Sequence, residues 1–447
     1  MTRRPNLLYA GRRRRLAMAG AAGLLTAAAH ATERFPRPEF RTEHPLPTLT
    51  EPVPRILLFD KLDVAVLAVA LGLAAYLVLR RRSRRSLVLL MLFSLLYFGF
   101  WRGGCVCPVG SVQNVALALF GDGYAIPLSA IAFFALPLVA ALAFGRVFCA
   151  AVCPLGIVQD LVAVRPLRLP GWLDGALRVV PYAVLGVSVL LAALGAGFMV
   201  CRYDPFVGLF RLSASTAMLA GAAVLLAVGV VVARPYCRYL CPYGVLLGWF
   251  SRLSLVHATV TPGECLNCPL CERACPVNAI RRPTPERLPE PRGTAIRRLA
   301  RLLVLLPVLG LAGAWAGARL HGWAAGAHPT VRLIRQMGIE HLDTTAPPTM
   351  ESETFRGTGV SNRQLYDEAV RTQARFATGC TALGAFLGLA LGAKLVSLSV
   401  FRSRTGHEPD RAWCLSCGRC FASCPVERKR REGGAVVRPG ADRGSAG

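Results

Sequence analysis

The sequence contains few charged residues: they make up 17% of its 447 residues, whereas 54% are hydrophobic. This composition excludes an ordinary soluble protein and predicts several membrane-spanning helices. Acidic residues are especially scarce, 25 against 52 lysines and arginines, so the formal net charge is +27. An excess of this size often indicates nucleic-acid binding. Here the arginines lie in short segments beside apolar stretches, which is typical of cytoplasmic membrane loops, and we expect no nucleic-acid partner.

Several cofactor signatures are also missing. None of the seven histidines falls inside a predicted span, so we expect no haem held by paired histidines. No G-x-G-x-x-G sequence follows a strand-like segment and no S/D-G-A-T-S/T sequence is present, so neither a dinucleotide site nor a covalent flavin is expected. Acidic residues are almost absent from the predicted spans. The sequence therefore offers no clear proton acceptor and identifies no catalytic residue.

The N-terminal segment has the features of a secretory signal. Four arginines at 12–15 precede the apolar run LAMAGAAGLLTAAAHA, and Ala29 and Ala31 have the spacing of a cleavage site. We expect residues 1–31 to form a signal peptide or an N-terminal anchor. Residues 32–55 are rich in proline and balanced in charge, and we expect them to form an extracytoplasmic lead.

Seven further apolar stretches predict transmembrane helices, so the expected fold class is an all-α polytopic membrane protein. They lie near 56–79, 86–101, 125–145, 175–197, 214–233, 300–319 and 377–400. Arginines cluster after the first, third and fifth stretches, before the sixth and after the last. Because such clusters stay in the cytoplasm, we expect a multi-pass protein of the bacterial inner membrane whose first span starts outside and whose last span ends inside.

This topology divides the chain into two membrane parts and two cytoplasmic segments. Residues 56–255 are expected to form a five-helix membrane domain. Residues 299–400 are expected to form a pair of transmembrane helices, joined by an outer loop at 321–376 that is partly helical. The segments 256–298 and 401–447 both lie on the cytoplasmic side.

The two cytoplasmic segments each contain a run of four cysteines. CLNCPLCERACP begins at Cys265 and CLSCGRCFASCP begins at Cys414, and both follow the bacterial ferredoxin pattern C-x2-C-x2-C-x3-C-P. In two-cluster ferredoxins, three cysteines of a run bind one cluster and the fourth binds the other. We therefore expect one ferredoxin-like bicluster module with two [4Fe-4S] clusters, held by Cys265, Cys268, Cys271 and Cys424 and by Cys414, Cys417, Cys420 and Cys275. Zinc is the alternative, but zinc sites rarely repeat this triple spacing.

The other eight cysteines lie at the ends of predicted spans. The inner set occurs in CAAVCPLG and CRYLCPYG and comprises Cys149, Cys153, Cys237 and Cys241. The outer set comprises Cys105, Cys107, Cys201 and Cys380. Four cysteines on each side are enough for one cluster each, which would raise the total to four. Helix packing, copper binding and disulfides are the alternatives.

The distance between the inner and outer sets is long for a single electron-transfer step between them. The sets lie at opposite ends of helices of about 20 residues, so about 30 Å apart by helical rise. Either the cysteine motifs extend into the membrane, or a quinone transfers electrons between the two sets, or the outer cysteines hold no cluster.

In these motifs the sequence resembles the NapH/NosR type of polytopic membrane iron–sulfur proteins, which also includes CcoG. The resemblance covers about residues 56 to 425 and depends on the two Cys-x3-Cys-Pro motifs together with the two ferredoxin runs. It implies a membrane electron carrier, often resembling a quinol dehydrogenase, that passes electrons to extracytoplasmic reductases. It also implies an alternative role in supporting copper enzymes. NosR-like proteins carry an outer flavin domain before the first span, and we expect none in residues 32–55.

Two functions therefore remain open. The first is a membrane electron conduit, whose expected partners are membrane lipid, a quinol, a cytoplasmic electron donor, and an extracytoplasmic reductase or electron carrier. The second is an accessory protein for metalloenzyme maturation that binds or reduces copper at the membrane Cys-Pro motifs. Substitution of Cys149 and Cys237 with serine separates them. A conduit then loses quinol-linked reduction of its remaining clusters, whereas an accessory protein loses metal binding.

Overall fold

The structure of the protein is a computed structural model that describes residues 57–104, 108–121, 124–164, 166–212, 215–260, 265–284, 291–343, 347–399 and 404–431. The expected signal peptide or anchor at 1–31, the lead at 32–55, and Cys105 and Cys107 lie outside these residues. The described chain is helical apart from one pair of two-residue strands.

The first two predicted spans are continuous helices. Helix α1 (Leu57–Tyr76) continues into a π-helical turn at Leu77–Arg81, and α2 (Arg84–Ser94) continues into another at Leu95–Trp101. Arg82 adopts the left-handed conformation between them, with φ 52°. Ser83 then caps α2, because its hydroxyl accepts a hydrogen bond from the Ser86 amide.

The rest of the membrane domain alternates longer helices with single turns. Its helices are α3 (Pro108–Phe120), α4 (Leu128–Phe144), α5 (Val147–Ala151), α6 (Pro154–Val162), α7 (Gly171–Leu177), α8 (Val180–Ala193), α9 (Met199–Tyr203), α10 (Pro205–Arg211), α11 (Thr216–Val231), α12 (Pro235–Tyr239) and α13 (Pro242–Arg252). Pro154 and Pro242 each occupy the first helical position after a cysteine. Proline is favoured there because the first turn has no use for its missing N–H. The repeated Cys-Pro motif thus turns the chain sharply and starts a new helix.

The C-terminal half contains two long helices and the ferredoxin segments. Its elements are α14 (Leu270–Ala274), β1 (Ile280–Arg281), α15 (Arg292–Ala325), α16 (Pro329–Leu342), α17 (Met350–Gly357), α18 (Asn362–Ser399), β2 (Glu408–Pro409), α19 (Arg419–Ser423) and α20 (Pro425–Arg431). Helices α15 and α18 touch along glycines. A methyl group on Gly313 would lie 2.1 Å from the Gly384 carbonyl oxygen, so the two backbones are in direct contact.

The number of spans differs from the seven that hydropathy predicts. Five described helices are long and apolar enough to cross a membrane, and a sixth span results if α10 and α11 form one broken span. The predicted third span is the 17-residue α4, and the predicted fifth is the 16-residue α11. Both are shorter than the roughly 20 residues that a bilayer needs. The protein is a multi-pass membrane protein, and a count of seven spans stays a prediction.

The two segments that contain the ferredoxin runs pack onto the helices of residues 57–252. Phe421 is 1% exposed and belongs to the same apolar core as Val147 and Ile157. Arg82, just after α1, forms an ion pair with Glu427 at 2.6 Å and donates a hydrogen bond to the Thr259 carbonyl. The second ferredoxin segment is therefore anchored on the helices through Phe421 and Glu427, while other buried residues of the two segments form separate small clusters.

The predicted outer loop at 321–376 is mostly helical. It contains α16 and α17, and α18 begins inside it at Asn362. Glu340 on α16 accepts hydrogen bonds from the Thr349 amide at 3.1 Å and from the Ser352 hydroxyl at 2.7 Å. Thr349 also caps α17 through a capping box with Ser352. These bonds lower the pKa of Glu340 to about 2, with the Ser352 hydroxyl as the largest cause.

Candidate iron-sulfur sites

The two ferredoxin runs come together although two long helices separate them in sequence. Strands β1 and β2 pair antiparallel, with Ile280 opposite Pro409. The Asp410 amide donates a hydrogen bond to the Ala279 carbonyl at 2.7 Å and extends this pairing. Helices α14 and α19, each of which begins inside a cysteine run, also pack together. A single module is thus built from both segments.

Four of the cysteines in this module surround one cavity. Cys275, Cys414, Cys417 and Cys420 line it together with apolar side chains that include Val277 and Phe421. The Ala279 amide donates a hydrogen bond to the sulfur of Cys275 at 3.3 Å. Burial, together with the neighbouring Cys417 and Cys275, raises the pKa of the Cys414 thiol to about 12.

The remaining four cysteines of the two runs form a second group, which contains two buried thiols and one exposed thiol. Cys271 and Cys424 are buried in an apolar cluster with Val260 and Val426. Burial raises the pKa of the Cys271 thiol to about 11, and Cys265, Cys268 and Cys424 are close enough to contribute. Cys265 is exposed, and its sulfur lies 4.0 Å from Nδ1 of His407. We call this group the distal set and the cavity-lining group the proximal set.

The backbone of both runs follows the same path. The third residue of each run, Asn267 and Ser416, adopts the left-handed conformation, with φ of 52° and 53°. This turn lets the first two cysteines of a run face the same side. Asparagine and serine are short polar residues, and asparagine in particular tolerates this conformation.

The two sets fit the chemistry of iron–sulfur ligation. Each offers four thiols, and the proximal set adds apolar walls and a backbone N–H to a sulfur, which are the groups that tune such clusters. Among the described residues, no three histidine, cysteine or acidic side chains converge on a position for a single metal ion. A four-iron cluster takes one thiolate on each iron, so its ligands do not meet at one atom.

Each inner Cys-Pro motif forms a sharp turn between two helices, which we call an inner corner. The two inner corners, at residues 149–154 and 237–242, have the same backbone hydrogen bond. Cys149 lies in α5 and Cys237 in α12. The amide of Cys153 bonds to the Phe148 carbonyl at 3.0 Å, and that of Cys241 bonds to the Tyr236 carbonyl at 2.9 Å. Each corner thus ends with a cysteine amide bonded to the residue before its first cysteine.

Gln159 holds the two corners together. It is fully buried, and its amide group donates a hydrogen bond to the sulfur of Cys237 at 3.3 Å. Its side-chain oxygen accepts a hydrogen bond from the Tyr236 amide at 3.0 Å. The sulfur of Cys237 also interacts electrostatically with Cys149. Gln159 therefore ties the turn that contains Cys149 and Cys153 to the turn that contains Cys237, and a shared cluster at the four inner cysteines stays a prediction.

The inner site lies beside the proximal set. Cys149 packs on the buried cluster of Val277, Ala279 and Leu415, and so do Cys275 and Cys414. The distal set lacks this contact among the described residues. The order from the membrane outward is therefore inner corners, proximal set, distal set.

Two buried arginines accompany the inner corners, and sequence reasoning missed them. Arg234 is 1% exposed, forms a two-pronged ion pair with Asp160 at 2.8 and 2.7 Å, and donates to the Cys149 carbonyl. Arg146 is 3% exposed and donates to the Ala412 carbonyl at 3.0 Å. The available signal was their position, because each lies three residues before the first cysteine of its motif.

Asp160 connects the inner corners to the proximal loop. Besides Arg234 it faces Arg419 at 3.7 Å and Arg84 at 3.8 Å. Arg84 in turn donates a hydrogen bond to the Cys417 carbonyl at 2.6 Å. One carboxylate thus holds arginines from three parts of the chain.

The outer motif around Cys201 repeats part of the inner arrangement. The side-chain oxygen of Gln113 accepts hydrogen bonds from the amides of Val200 and Cys201, at 3.1 and 3.4 Å. Gln113 lies three residues after the glycine of its Cys-Pro-Val-Gly motif, as Gln159 does in its own. Cys201 itself is exposed.

The inner and outer corners are closer than the full-helix distance of about 30 Å that we expected. The hydroxyl of Tyr236, the neighbour of Cys237, donates a hydrogen bond to Asp204 at 2.7 Å. Asp204 is three residues after Cys201. One tyrosine side chain therefore spans the gap, because α9 and α10 carry the outer motif back into the helix bundle.

Cys380 does not share the environment of the other cysteines. It is 4% exposed in α18 and packs with Leu190 and Phe376 in an apolar cluster that contains no other described cysteine. A methyl group on Gly317 would lie 2.0 Å from the Cys380 carbonyl oxygen. Cys380 thus lies in a close helix contact that needs glycine at position 317, and its expected place in an outer ligand set stays a prediction.

Comparison with known proteins identifies the membrane corners. A family model described as a 4Fe-4S binding domain matches residues 126–179 and 214–257. These two segments contain Cys149, Cys153, Cys237 and Cys241, and neither ferredoxin run. No solved structure matches the chain.

Several curated relatives share this region. The "Putative electron transport protein YccM" of Escherichia coli strain K12 is 29% identical over 186 residues, which are 38% of this chain and 52% of the relative. The methylamine utilization ferredoxin-type protein MauN of Methylobacillus flagellatus is 31% identical over 30% of this chain and 48% of the relative. The regulatory protein NosR of Pseudomonas aeruginosa is 30% identical over 42% of this chain and 28% of the relative. The chain spans about half the length of the first two.

These findings confirm the resemblance that the motifs predict. Two segments of the chain match the 4Fe-4S binding domain, and the chain is similar to membrane-associated, ferredoxin-type electron-transport proteins of the NapH/NosR type.

Proposed function

We propose that this protein conducts electrons between a cytoplasmic two-cluster module and a redox partner at or beyond the membrane, either a quinol or an extracytoplasmic reductase. One observation carries the proposal. The proximal set, Cys275, Cys414, Cys417 and Cys420, surrounds a single cavity, and Cys149 of the inner corners packs on the same buried cluster as two of them. Because the two sites are in contact, they favour electron transfer from one to the other.

The order of the sites supports an electron-transfer path that can run in either direction. Cys265 of the distal set is exposed, so a soluble donor or acceptor has access there. The proximal set lies between the distal set and the inner corners. When bound, a [4Fe-4S] cluster accepts and releases a single electron. The residues of this chain hold the thiols in place, exclude water with Val277 and Phe421, and fix the module on the membrane domain through Arg82.

Orientation follows from the arginines. The loops that carry the inner corners and both ferredoxin runs are rich in arginine, and such loops stay in the cytoplasm. We therefore place the proximal and distal sets in the cytoplasm of a bacterial inner membrane and the helical segment α16–α17 outside. Reporter fusions at the outer helices and at the C-terminus test this placement.

The decisive experiment is iron and acid-labile sulfide per chain in protein purified without oxygen. About twelve of each are expected, from the proximal set, the distal set and the inner corners. The double variant Cys149→Ser/Cys237→Ser should lose about four of each, while Cys380→Ser, the matched control, should lose none.

The same measurement distinguishes the rival functions. If the wild type holds about eight irons and the double variant loses copper instead, the corners belong to an accessory protein for metalloenzyme maturation. About sixteen irons would mean that an outer site also binds a cluster. Fewer than eight irons would refute the two-cluster module itself.

A further inference from the structure

The two inner corners are built as a repeat, and each sends an arginine across to the other. Arg146 and Arg234 precede Cys149 and Cys237 by three residues, and Gly156 and Gly244 follow the second cysteines by three. A methyl group on Gly156 would lie 3.2 Å from the Arg234 guanidinium, and one on Gly244 would lie 3.2 Å from the Arg146 guanidinium. The glycines leave room for these crossing side chains.

The two arginines differ in what balances their charge. Arg234 has Asp160 at 2.7 Å. Arg146 forms no ion pair with any residue that the structure describes. Its Nη1 donates to a neutral carbonyl, that of Ala412, and its Nε, although buried, makes no hydrogen bond within the described chain.

A buried guanidinium without an anion is costly, because removal of a charge from water needs compensation. The groups near Arg146 that can become anionic are thiols. Its Nη2 lies 3.9 Å from the sulfur of Cys149, and it interacts electrostatically with Cys414. The position therefore calls for anionic sulfur, as in a cluster held by cysteine thiolates.

Arg146 also ties the inner corner to the loop of the proximal set. Ala412, its acceptor, lies two residues before Cys414. The neighbouring carbonyl of Arg411 accepts a hydrogen bond from the Ser251 hydroxyl at 2.6 Å, so helix α13 holds the same loop. One guanidinium thus stands between Cys149 and the backbone that carries Cys414.

We propose that Arg146 is a positioning residue that compensates the negative charge of the clusters at the inner corners and the proximal set, and so raises their reduction potentials. This inference rests on the proposed function, since it needs clusters at these thiols. Added negative charge on reduction is stabilised by a nearby cation, and more strongly in a buried site where water does not screen it. Removal of the cation therefore makes both clusters harder to reduce.

The test is an anaerobic redox titration followed by low-temperature electron paramagnetic resonance on Arg146→Gln, Arg146→Lys and wild type. Arg146→Gln should lower the reduced-to-oxidised ratio of the proximal signal at least tenfold at fixed potential, which is 59 mV for a one-electron couple. Arg146→Lys keeps the charge and should remain within threefold of the wild type.

The possible outcomes separate this inference from the proposed function. Unchanged potentials in Arg146→Gln, with full iron content, overturn the role of Arg146 and leave the conduit intact. If Arg146→Gln loses iron, retention of iron by Arg146→Lys supports charge compensation by Arg146. Equal loss of iron in both variants overturns charge compensation by Arg146. A wild type with only eight irons refutes the inner cluster, whatever Arg146→Gln does to the proximal signal.

Discussion

Tyr236 donates a hydrogen bond to Asp204 at 2.7 Å and thereby joins the inner Cys-Pro corner to the outer one. Asp204 is 3% exposed, and it forms no ion pair within the described residues. Its other oxygen accepts a hydrogen bond from the Phe206 amide at 2.9 Å. The other buried acids of the described chain, such as Asp63 and Asp174, have arginine partners. Tyr236 is therefore the main side-chain partner of an otherwise isolated carboxyl group.

Tyr236→Phe should destabilise the protein by about 1–3 kcal/mol, because it leaves a buried oxygen without its donor. A double-mutant cycle with Asp204→Asn, measured by thermal unfolding in detergent, should give a coupling energy of about 0.5–3 kcal/mol. Tyr203→Phe is the control, since Tyr203 is 65% exposed and should be neutral. Additive effects of Tyr236→Phe and Asp204→Asn would contradict the bridge between the corners.

Gly156→Ala and Gly244→Ala should each destabilise the inner corners by about 1–3 kcal/mol. The added methyl groups would lie 3.2 Å from arginines that are pinned by hydrogen bonds and cannot easily move away. Gly72→Ala, in α1, is the matched control because nothing lies within 4 Å of its added methyl group. Melting temperatures that fall equally in all three variants would show that the crossing arginines are not the cause.

Gly313→Ala should separate α15 from α18. Its methyl group would lie 2.1 Å from the Gly384 carbonyl oxygen, so the two backbones must move apart. We expect a loss of about 1–3 kcal/mol in thermal unfolding, and more if the helices cannot adjust. Gly322→Ala lies in the same helix with open space around it and should be neutral. A neutral Gly313→Ala would mean that the two helices do not touch as described.

The hydrogen bonds of Glu340 should make the outer helices sensitive to acid. The pKa of Glu340 is lowered to about 2, below the value of about 4.3 for an unfolded glutamate, so its stabilising effect is complete above about pH 4.3 and is lost as the pH falls toward 2. The protection factors of the α17 amides, which account for the intrinsic pH dependence of hydrogen exchange, should fall over that range in the wild type. In Glu340→Gln exchange should be fast already at pH 6, and Glu353→Gln is the exposed control. Equal protection of α17 at pH 6 and pH 2.5 would argue against this role.

The spacing of residues in the sequence predicted those features that depend on residues close to one another in the chain. The C-x2-C-x2-C-x3-C-P runs predict which thiols can share a cluster, and the structure places Cys275 around one cavity with Cys414, Cys417 and Cys420. The apolar stretches predict helices, and each of the seven stretches contains one. Hydropathy overestimates the lengths of α4 and α11, because it does not show where each helix begins and ends.

Residues that act across long sequence separations could not be found in this way. The unbalanced charge of Arg146 is visible only once its neighbours are known, since its twin Arg234 has the same local sequence position and a carboxylate partner. Cys380 fits an outer ligand set by its count and predicted side, yet it lies in a helix contact among apolar side chains. Counting cysteines on each side of a membrane gives no information on such packing.

The sequence by itself determined the class of cofactor, the multi-pass helical fold and the resemblance to membrane ferredoxin-type proteins, because ligand spacing and hydropathy are local properties of the chain. The tertiary structure alone decided that the inner corners adjoin the proximal set, that Tyr236 reaches Asp204, and that Arg146 faces sulfur without a carboxylate. Those relationships depend on the way α9 and α10 turn back into the bundle and on the packing of two distant segments against one core.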